Sequence, residues 1–144
     1  LPFVHMEAPL YRRGRARRGP TYREAILMHA VARLALHPVI PNIQTSWVKM
    51  GIDGVAACLR SGVNDLGGTL MNESITRAAG TVHGQELAPT DMNDLARSLG
   101  RIPRQRTTLY DTAPEDRRKA ALAAAPLTDP VNATAGVPRR AVVA

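Results

Sequence analysis

Residues 42–69 read NIQTSWVKMGIDGVAACLRSGVNDLGGT, and this stretch decides the predicted fold. Residues 42–48 have the β-branched and aromatic content that is typical of a strand. Residues 52–60 place three apolar side chains on one helical face, and Gly62 stands where a left-handed helix end needs no Cβ. Residues 63–66 predict a second short strand that ends in a glycine pair. The stretch therefore predicts a strand, a helix and a strand in succession.

The sequence on either side continues this alternation. Residues 1–5 predict the end of a buried strand, and a Thr-x-x-Glu capping box predicts a helix over residues 21–36. That helix is apolar on nearly every face, which predicts burial between two layers. Asn72 and Thr90 are candidate N-caps of two further helices, and Gly100 is expected to close the second of them. Strands that alternate with helices imply right-handed crossovers and a parallel sheet, so the predicted fold class is α/β.

The chain is expected to consist of a folded part, residues 1–110, and a tail, residues 111–144. Three strands with buried helices can neither close a barrel nor cover both faces of a sheet. We therefore expect the folded part to be incomplete, with its missing partner upstream in a longer natural chain. The tail is rich in Ala and Pro and has no aromatic residue, which predicts flexibility apart from a helix near residues 115–125.

The basic charge of the chain is concentrated in two segments. Nineteen Lys and Arg against twelve Asp and Glu give a net charge of +7. Residues 12–18 carry five Arg and residues 101–106 carry three, and neither segment contains an acid. Proteins that track nucleic acid usually spread basic charge over a folded face. We expect no nucleic-acid partner, although a small basic module that binds nucleic acid or an acidic protein remains the alternative reading.

The chain has one cysteine, Cys58, which excludes an intramolecular disulfide framework and any multi-cysteine metal site within it. This usage fits a reducing compartment. Cys58 lies on an apolar helical face, so we expect a buried, inert thiol. The sequence has no apolar run of about 18 residues and no basic-then-apolar start. We therefore expect a cytoplasmic protein without a membrane partner.

Ligands of parallel α/β folds bind at the carboxyl ends of the strands, and this rule selects the candidate site residues. They are His5, Glu7, Gln44, Ser46, Asp65, Gly67, Gly68 and Thr69. His5 and Glu7 share one side of an extended segment and could bind a polar ligand or move a proton. The alternative is a loop histidine with an acid that pairs with a nearby arginine.

Residues 44–46 are three adjacent polar side chains in a predicted buried strand. An unsatisfied buried polar group costs about 1 to 3 kcal/mol, so these side chains bond either one another or a ligand. Asp65 offers a carboxylate to an ammonium or a hydroxyl group, and Gly67 and Gly68 allow the backbone to approach a ligand closely. As a motif this is weak, because glycine pairs at strand ends often form only tight turns, and no phosphate-binding fingerprint is present.

Four ordered motifs carry a family resemblance. They are residues 42–49 (NIQTSWVK), 64–75 (NDLGGTLMNESI), 83–85 (HGQ) and 103–110 (PRQRTTLY). Together they closely resemble the carboxyl-terminal part of the FO synthase family, in its second, tyrosine-using half, which belongs to the radical S-adenosylmethionine (SAM) superfamily. The opening LPFVH is similar as well, so the resemblance covers about residues 1–110.

The resemblance implies the later part of a (β/α) TIM-like barrel and a transferase reaction. In that family a 4Fe-4S cluster and SAM generate a 5′-deoxyadenosyl radical that acts on tyrosine. The hydroxybenzyl unit of tyrosine is then joined to 5-amino-6-(D-ribitylamino)uracil on the way to a deazaflavin coenzyme. The implied partners of the chain are therefore these two small-molecule substrates and the missing amino-terminal part of the barrel.

The chain departs from the family in its cysteines. The family binds its cluster through a CxxxCxxC motif, whereas Cys58 stands alone in a helix between later strands. We therefore expect no metal ligand in this chain, and no activity from it alone. Carried over by position, Gln44, Ser46, Asp65 and residues 67–69 would face the barrel mouth, with His5 and Glu7 next to them.

Overall fold

The computed structural model describes residues 9–70, 72–78, 84–125 and 127. Its helices are α1 (Pro9–Arg12), α2 (Tyr22–Leu36), α3 (Trp47–Arg60), α4 (Ile75–Ala78), α5 (Pro89–Ser98) and α6 (Glu115–Ala123). Extended pairing within the described ranges consists of isolated bridges, which are Gln44–Asp65 (parallel), Glu73–Gln85 and Arg106–Thr112 (both antiparallel). The fold is thus mostly helical with short extended contacts, and the α/β prediction holds only in this coarser form. The predicted strand over residues 1–5 lies outside the described residues.

Helix α2 confirms the predicted capping box. The hydroxyl of Thr21 accepts a hydrogen bond from the Glu24 amide at 3.2 Å, and the Glu24 carboxylate accepts one from the Thr21 amide at 2.7 Å. The prediction that α2 is buried between two layers is wrong for this chain. One side packs against α3 and buries Ala25 and His29, whereas Leu34 on the outer side is 83% exposed.

Helix α3 begins earlier than the sequence predicts. The predicted strand over residues 42–48 is wrong beyond Ser46, because Trp47 already starts the helix. Trp47 and Val48 are both buried, at 4% and 2% exposure. A strand would point these neighbours to opposite faces, whereas a helical turn lets both reach the same core. The helix bends at Gly51, where φ is +67°.

Two predicted N-caps are wrong and one predicted helix end is confirmed. Helix α4 begins at Ile75, three residues after Asn72. Helix α5 begins at Pro89, so Thr90 lies inside its first turn. Proline suits this first position, because the N–H that it lacks would have no helical partner. Gly100 follows α5 with a φ of +71°, as its predicted closing role requires.

The core lies between α2, α3 and the segments that flank α3. Its buried members are Ala25, Ile43, Trp47, Val48, Met50, Val55, Cys58, Leu59, Val63 and Leu87. Met92 and Leu95 of α5, and Leu99 directly after it, pack partly buried against this cluster. Cys58 is completely buried, as predicted. Of the predicted strand over residues 63–66, Asp65 forms the bridge described above.

The helix predicted near residues 115–125 is present as α6, which packs against α5. Residues 128–144, where most of the predicted flexible tail falls, lie outside the described residues. In the part of the chain that is described, no helix combines the length and the apolarity that crossing a membrane requires.

Candidate functional site

The parallel bridge joins the segments before and after α3. The Thr45 amide donates to the Asp65 carbonyl at 3.0 Å, and the Asn64 amide donates to the Ile43 carbonyl at 3.1 Å. These bonds place Gln44 next to the turn that follows Asp65. The structure therefore brings together two of the groups that the sequence selects, residues 44–46 and 65–69.

Asn64 organises this junction, although the sequence analysis gives it no role. Its side-chain oxygen accepts hydrogen bonds from the Ile43 amide at 2.9 Å and from Arg33 at 2.7 Å. Arg33 also donates to the carbonyls of Gly62, at 2.6 Å, and Pro41, at 2.8 Å. Helix α2 is thus tied through one arginine to both segments that carry candidate site residues.

The Asp65 carboxylate is held by three donors from this chain. Its Oδ1 accepts from the Gly67 amide at 2.9 Å. Its Oδ2 accepts from Arg106 Nη2 at 2.6 Å and from the Tyr110 hydroxyl at 2.9 Å. The side chain is only 6% exposed. The carboxylate that the sequence analysis offers to a ligand is therefore engaged inside the protein.

These contacts determine the ionisation of Asp65. Burial alone would raise the pKa of the carboxyl group, but the hydrogen bonds from Gly67, Arg106 and Tyr110 stabilise the anion and hold the pKa below its ordinary value. The same contact raises the pKa of Tyr110, because the phenol gives up its best acceptor when it loses its proton. At neutral pH, Asp65 is a carboxylate and Tyr110 a phenol.

Arg106 is fixed on several sides. Its Nη1 donates to the Thr107 carbonyl at 3.0 Å, and its guanidinium carbon lies 4.3 Å from the centroid of the Tyr110 ring, as in a cation–π contact. Its Nε is buried and has no hydrogen-bond partner among the described residues. Arg106 and Tyr110 belong to the last resemblance motif, but no local signal connects them with Asp65.

The two glycines after Asp65 differ in what surrounds them. Gly67 has a φ of +75°, and a Cβ there would lie 2.5 Å from the Gln44 amide nitrogen. A Cβ on Gly68 would meet nothing within 4 Å. The Gly68 carbonyl accepts a hydrogen bond from the Trp47 indole at 2.9 Å, and the Thr69 carbonyl accepts one from the Leu87 amide at 3.3 Å. The turn is thus tied down on both sides.

Residues 44–46 do not bond one another through their side chains. Gln44 is exposed, and its side-chain amide makes no hydrogen bond to the described part of the chain. Ser46 precedes α3 without capping it through its hydroxyl. The hydroxyl of Thr45 is fully buried and has no partner within the described ranges. The sequence leaves open whether these side chains bond one another or a ligand. The structure does not show the first of these alternatives.

A second polar cluster, which the sequence analysis misses, lies around Thr76. Lys49 donates to the Thr76 hydroxyl. The amide and the hydroxyl of Thr76 both donate to the Glu73 carboxylate at 3.1 Å. Thr76 is 1% exposed, so this network is internal. It connects the start of α3 with α4.

Two candidates cannot be placed, and one implied cofactor does not fit. His5 and Glu7 lie outside the described residues. The residues that are described include no group of three or more His, Cys, Asp or Glu that could hold a metal ion. Cys58 is buried in the core, with Sγ 3.7 Å from His29 Nδ1. A 4Fe-4S cluster needs several thiolates, and one buried cysteine does not supply them.

Residues 1–119 match the family model described as the CofH/MqnC C-terminal region, and the chain belongs to this family. It is 54% identical over 123 residues to an FO synthase of Streptomyces avermitilis. It is 52% identical over 111 residues to a protein of Methanopyrus kandleri named 5-amino-6-(D-ribitylamino)uracil--L-tyrosine 4-hydroxyphenyl transferase. No solved structure matches the chain.

The matches cover most of this chain but only part of each relative. They span 85% of the chain and 14% of the Streptomyces protein, and 77% of the chain and 30% of the Methanopyrus protein. Any whole-enzyme activity therefore depends on residues that this chain does not contain.

Proposed function

We propose that the chain supplies the carboxyl-terminal part of a radical SAM transferase that makes a deazaflavin precursor from tyrosine and 5-amino-6-(D-ribitylamino)uracil. The observation that carries the proposal is the match of one region to two relatives of very different length. A bacterial FO synthase and an archaeal transferase both align with it at more than half identity. The proposed setting is the cytoplasm, consistent with a single cysteine that carries no disulfide.

We further propose that the described elements are the later part of a (β/α) barrel. Gln44 and Asp65 pair in parallel, and α3 connects them along the chain. A parallel pair that is joined by a helix is the repeating unit of such barrels. In this arrangement Gln44, Ser46 and residues 67–69 would lie at the barrel mouth, with His5 and Glu7 beside them.

The proposed contribution of this chain is to bind and orient substrate. Gln44 offers an exposed amide next to a turn that Asp65 and Trp47 hold in place. SAM and a 4Fe-4S cluster belong to the complete enzyme, where the cluster ligands must come from residues outside this chain. We assign no step of the reaction to a metal ligand here.

A chimeric enzyme tests the proposal. Residues 1–119 would replace the matching region of the Streptomyces coelicolor FO synthase, to which the chain is 54% identical. The chimera would be loaded with iron and sulfide without oxygen and supplied with SAM, tyrosine, the ribitylaminouracil and dithionite as the one-electron reductant of the cluster. We expect the chimera to form the deazaflavin product FO, which mass spectrometry detects. A chimera that carries its cluster and cleaves SAM but forms no FO would contradict the proposal.

The 144-residue chain on its own provides the complementary test. Because it lacks thiolates for a cluster, we expect it to bind none and to release no 5′-deoxyadenosine from SAM. A visible spectrum of the reconstituted chain and a chromatographic assay with dithionite as reductant measure both. Cluster binding with turnover would show that the assignment of the cluster ligands to other residues is wrong.

A further inference from the structure

The segment that closes over Asp65 comes from the end of the folded part. We call residues 101–113 the closing segment. Its first residue, Arg101, donates to the carbonyls of Leu59, at 2.5 Å, and Val63, at 3.2 Å. At its far end, the Ala113 amide donates to the Gln105 carbonyl at 3.3 Å, and Ala113 is buried. The Arg101 bonds therefore anchor the segment independently of Asp65, whereas the Ala113 bond lies within the segment.

Between the two ends of the segment, Arg106 and Tyr110 reach the same oxygen of Asp65. Arg106 also stacks on the Tyr110 ring, so the two side chains form one unit. A planar guanidinium can make the ion pair and the stacking contact together, whereas the compact ammonium of a lysine cannot reproduce both. This geometry holds the carboxylate of Asp65 in one orientation.

The orientation of this carboxylate determines the turn that follows. The other oxygen, Oδ1, accepts from the Gly67 amide, and Gly67 lies so near Gln44 that an added Cβ would be 2.5 Å from the Gln44 amide nitrogen. If Asp65 rotated, the Gly67 amide would lose its acceptor, and the turn beside Gln44 would lose one of its supports. Two hydrogen bonds therefore join Arg106, Asp65 and the Gly67 amide, and the exposed Gln44 side chain is the neighbour of this turn.

We propose that Arg106 and Tyr110 are positioning residues for the ribitylaminouracil substrate, which act by fixing the Asp65 carboxylate and, through it, the Gly67 turn and Gln44. This inference rests on the proposed function. The charge of Asp65 is compensated by Arg106, so an ammonium group finds no free carboxylate here. The neutral amide of Gln44 instead matches the hydroxyl, carbonyl and N–H groups of the ribitylaminouracil.

The test uses the chimeric enzyme and compares the KM of its two substrates. We expect Arg106→Gln to raise the KM for the ribitylaminouracil by about tenfold, the scale of losing one hydrogen bond to a charged group. The KM for tyrosine should stay within about twofold, because the ammonium does not bind here. Tyr110→Phe removes a single hydroxyl and should shift the same KM in the same direction by a smaller factor.

A double-mutant cycle shows whether Arg106 acts through Asp65. In an Asp65→Asn background, Arg106→Gln should cause little further change, because the group that it positions is already altered. If the factors by which the two single substitutions raise the KM multiply in the double variant, Arg106 contacts the substrate directly. That result would overturn a positioning role. Arg106→Lys should restore at most part of the lost affinity, since it keeps the charge and loses the stacking.

Arg101→Gln is the matched control from the same closing segment. It removes an anchor of the segment and leaves the Asp65 contacts in place. It should therefore lower the melting temperature without changing the ratio of the KM for the ribitylaminouracil to the KM for tyrosine. If Arg106→Gln fails to fold, Tyr110→Phe still decides the question. Equal changes in both KM values, or no change in either, would overturn the inference. An unsubstituted chimera that makes no FO would contradict the proposed function instead.

Discussion

Asp65 links the stability of the chain to pH. Its folded pKa lies below that of the unfolded chain, which is about 3.9 for an aspartate. The stabilisation is therefore complete above the unfolded pKa and is lost as pH falls through the folded pKa. We expect Asp65→Asn to lose less stability than the natural chain between pH 6 and pH 3. Urea unfolding at both pH values measures this, and equal losses would contradict it.

The adjacent glycines offer a matched pair of substitutions. Gly67→Ala places a side chain in the left-handed region, against the Gln44 amide, and should lower the free energy of unfolding by about 1 to 2 kcal/mol. Gly68→Ala enters open space and should change stability by less than about 0.5 kcal/mol. Thermal unfolding compares the two variants. Equal losses would show that the turn has a different conformation.

At the level of the helices, the start of α2 gives a second matched pair. Thr21→Ala removes the N-cap hydroxyl and should destabilise the chain by about 1 kcal/mol. Thr90→Ala changes an exposed threonine that lies inside the first turn of α5, so it should be nearly neutral. Urea unfolding of both variants checks this. If Thr90→Ala lowered the free energy of unfolding more than Thr21→Ala, Thr90 would be the N-cap that the sequence predicts.

The elements that the sequence predicts correctly are those with local signals. The capping box of α2 lies within four consecutive residues, and Gly62 and Gly100 mark helix ends through their own backbone preference. The prediction of where α3 starts fails because this start depends on tertiary packing. The packing buries Trp47 and Val48 in one core. For α5 the sequence does hold a usable signal, Pro89 at the first helical position, which outweighs the threonine after it.

Within the candidate site, too, the sequence predicts the part that depends on neighbouring elements and misses the part that depends on distant residues. The Gln44 and Asp65 segments pair in parallel and α3 joins them along the chain, which is the proximity that the predicted strand–helix–strand succession implies. Arg106 lies 41 residues beyond its partner Asp65, and no short-range pattern connects them. Sequence reasoning therefore finds the carboxylate but not the cation that neutralises it. The omission matters because a carboxylate that is already paired with Arg106 offers less negative charge to a ligand.

For the molecule as a whole, the outer side of α2 exposes an apolar stripe that we expect to affect association in solution. Leu27, Val31 and Leu34 recur at helical spacing and are 58%, 54% and 83% exposed. An apolar stripe of this kind promotes association. We expect Leu34→Lys to reduce self-association of the 144-residue chain in analytical ultracentrifugation, with little change in its melting temperature. Unchanged association would show that this stripe is not the contact surface.

Cys58 reports whether α2 and α3 close into one core when the chain is isolated. Its thiol is completely buried and lies beside His29 of α2, so a thiol reagent can reach it only when the two helices separate. We expect slow reaction with a disulfide reagent in buffer and fast reaction in urea. The control is Arg60→Cys in a Cys58→Ala background, which places the thiol at an exposed position of α3. Equal rates for the two thiols in buffer would mean that the α2–α3 core needs residues outside this chain to close.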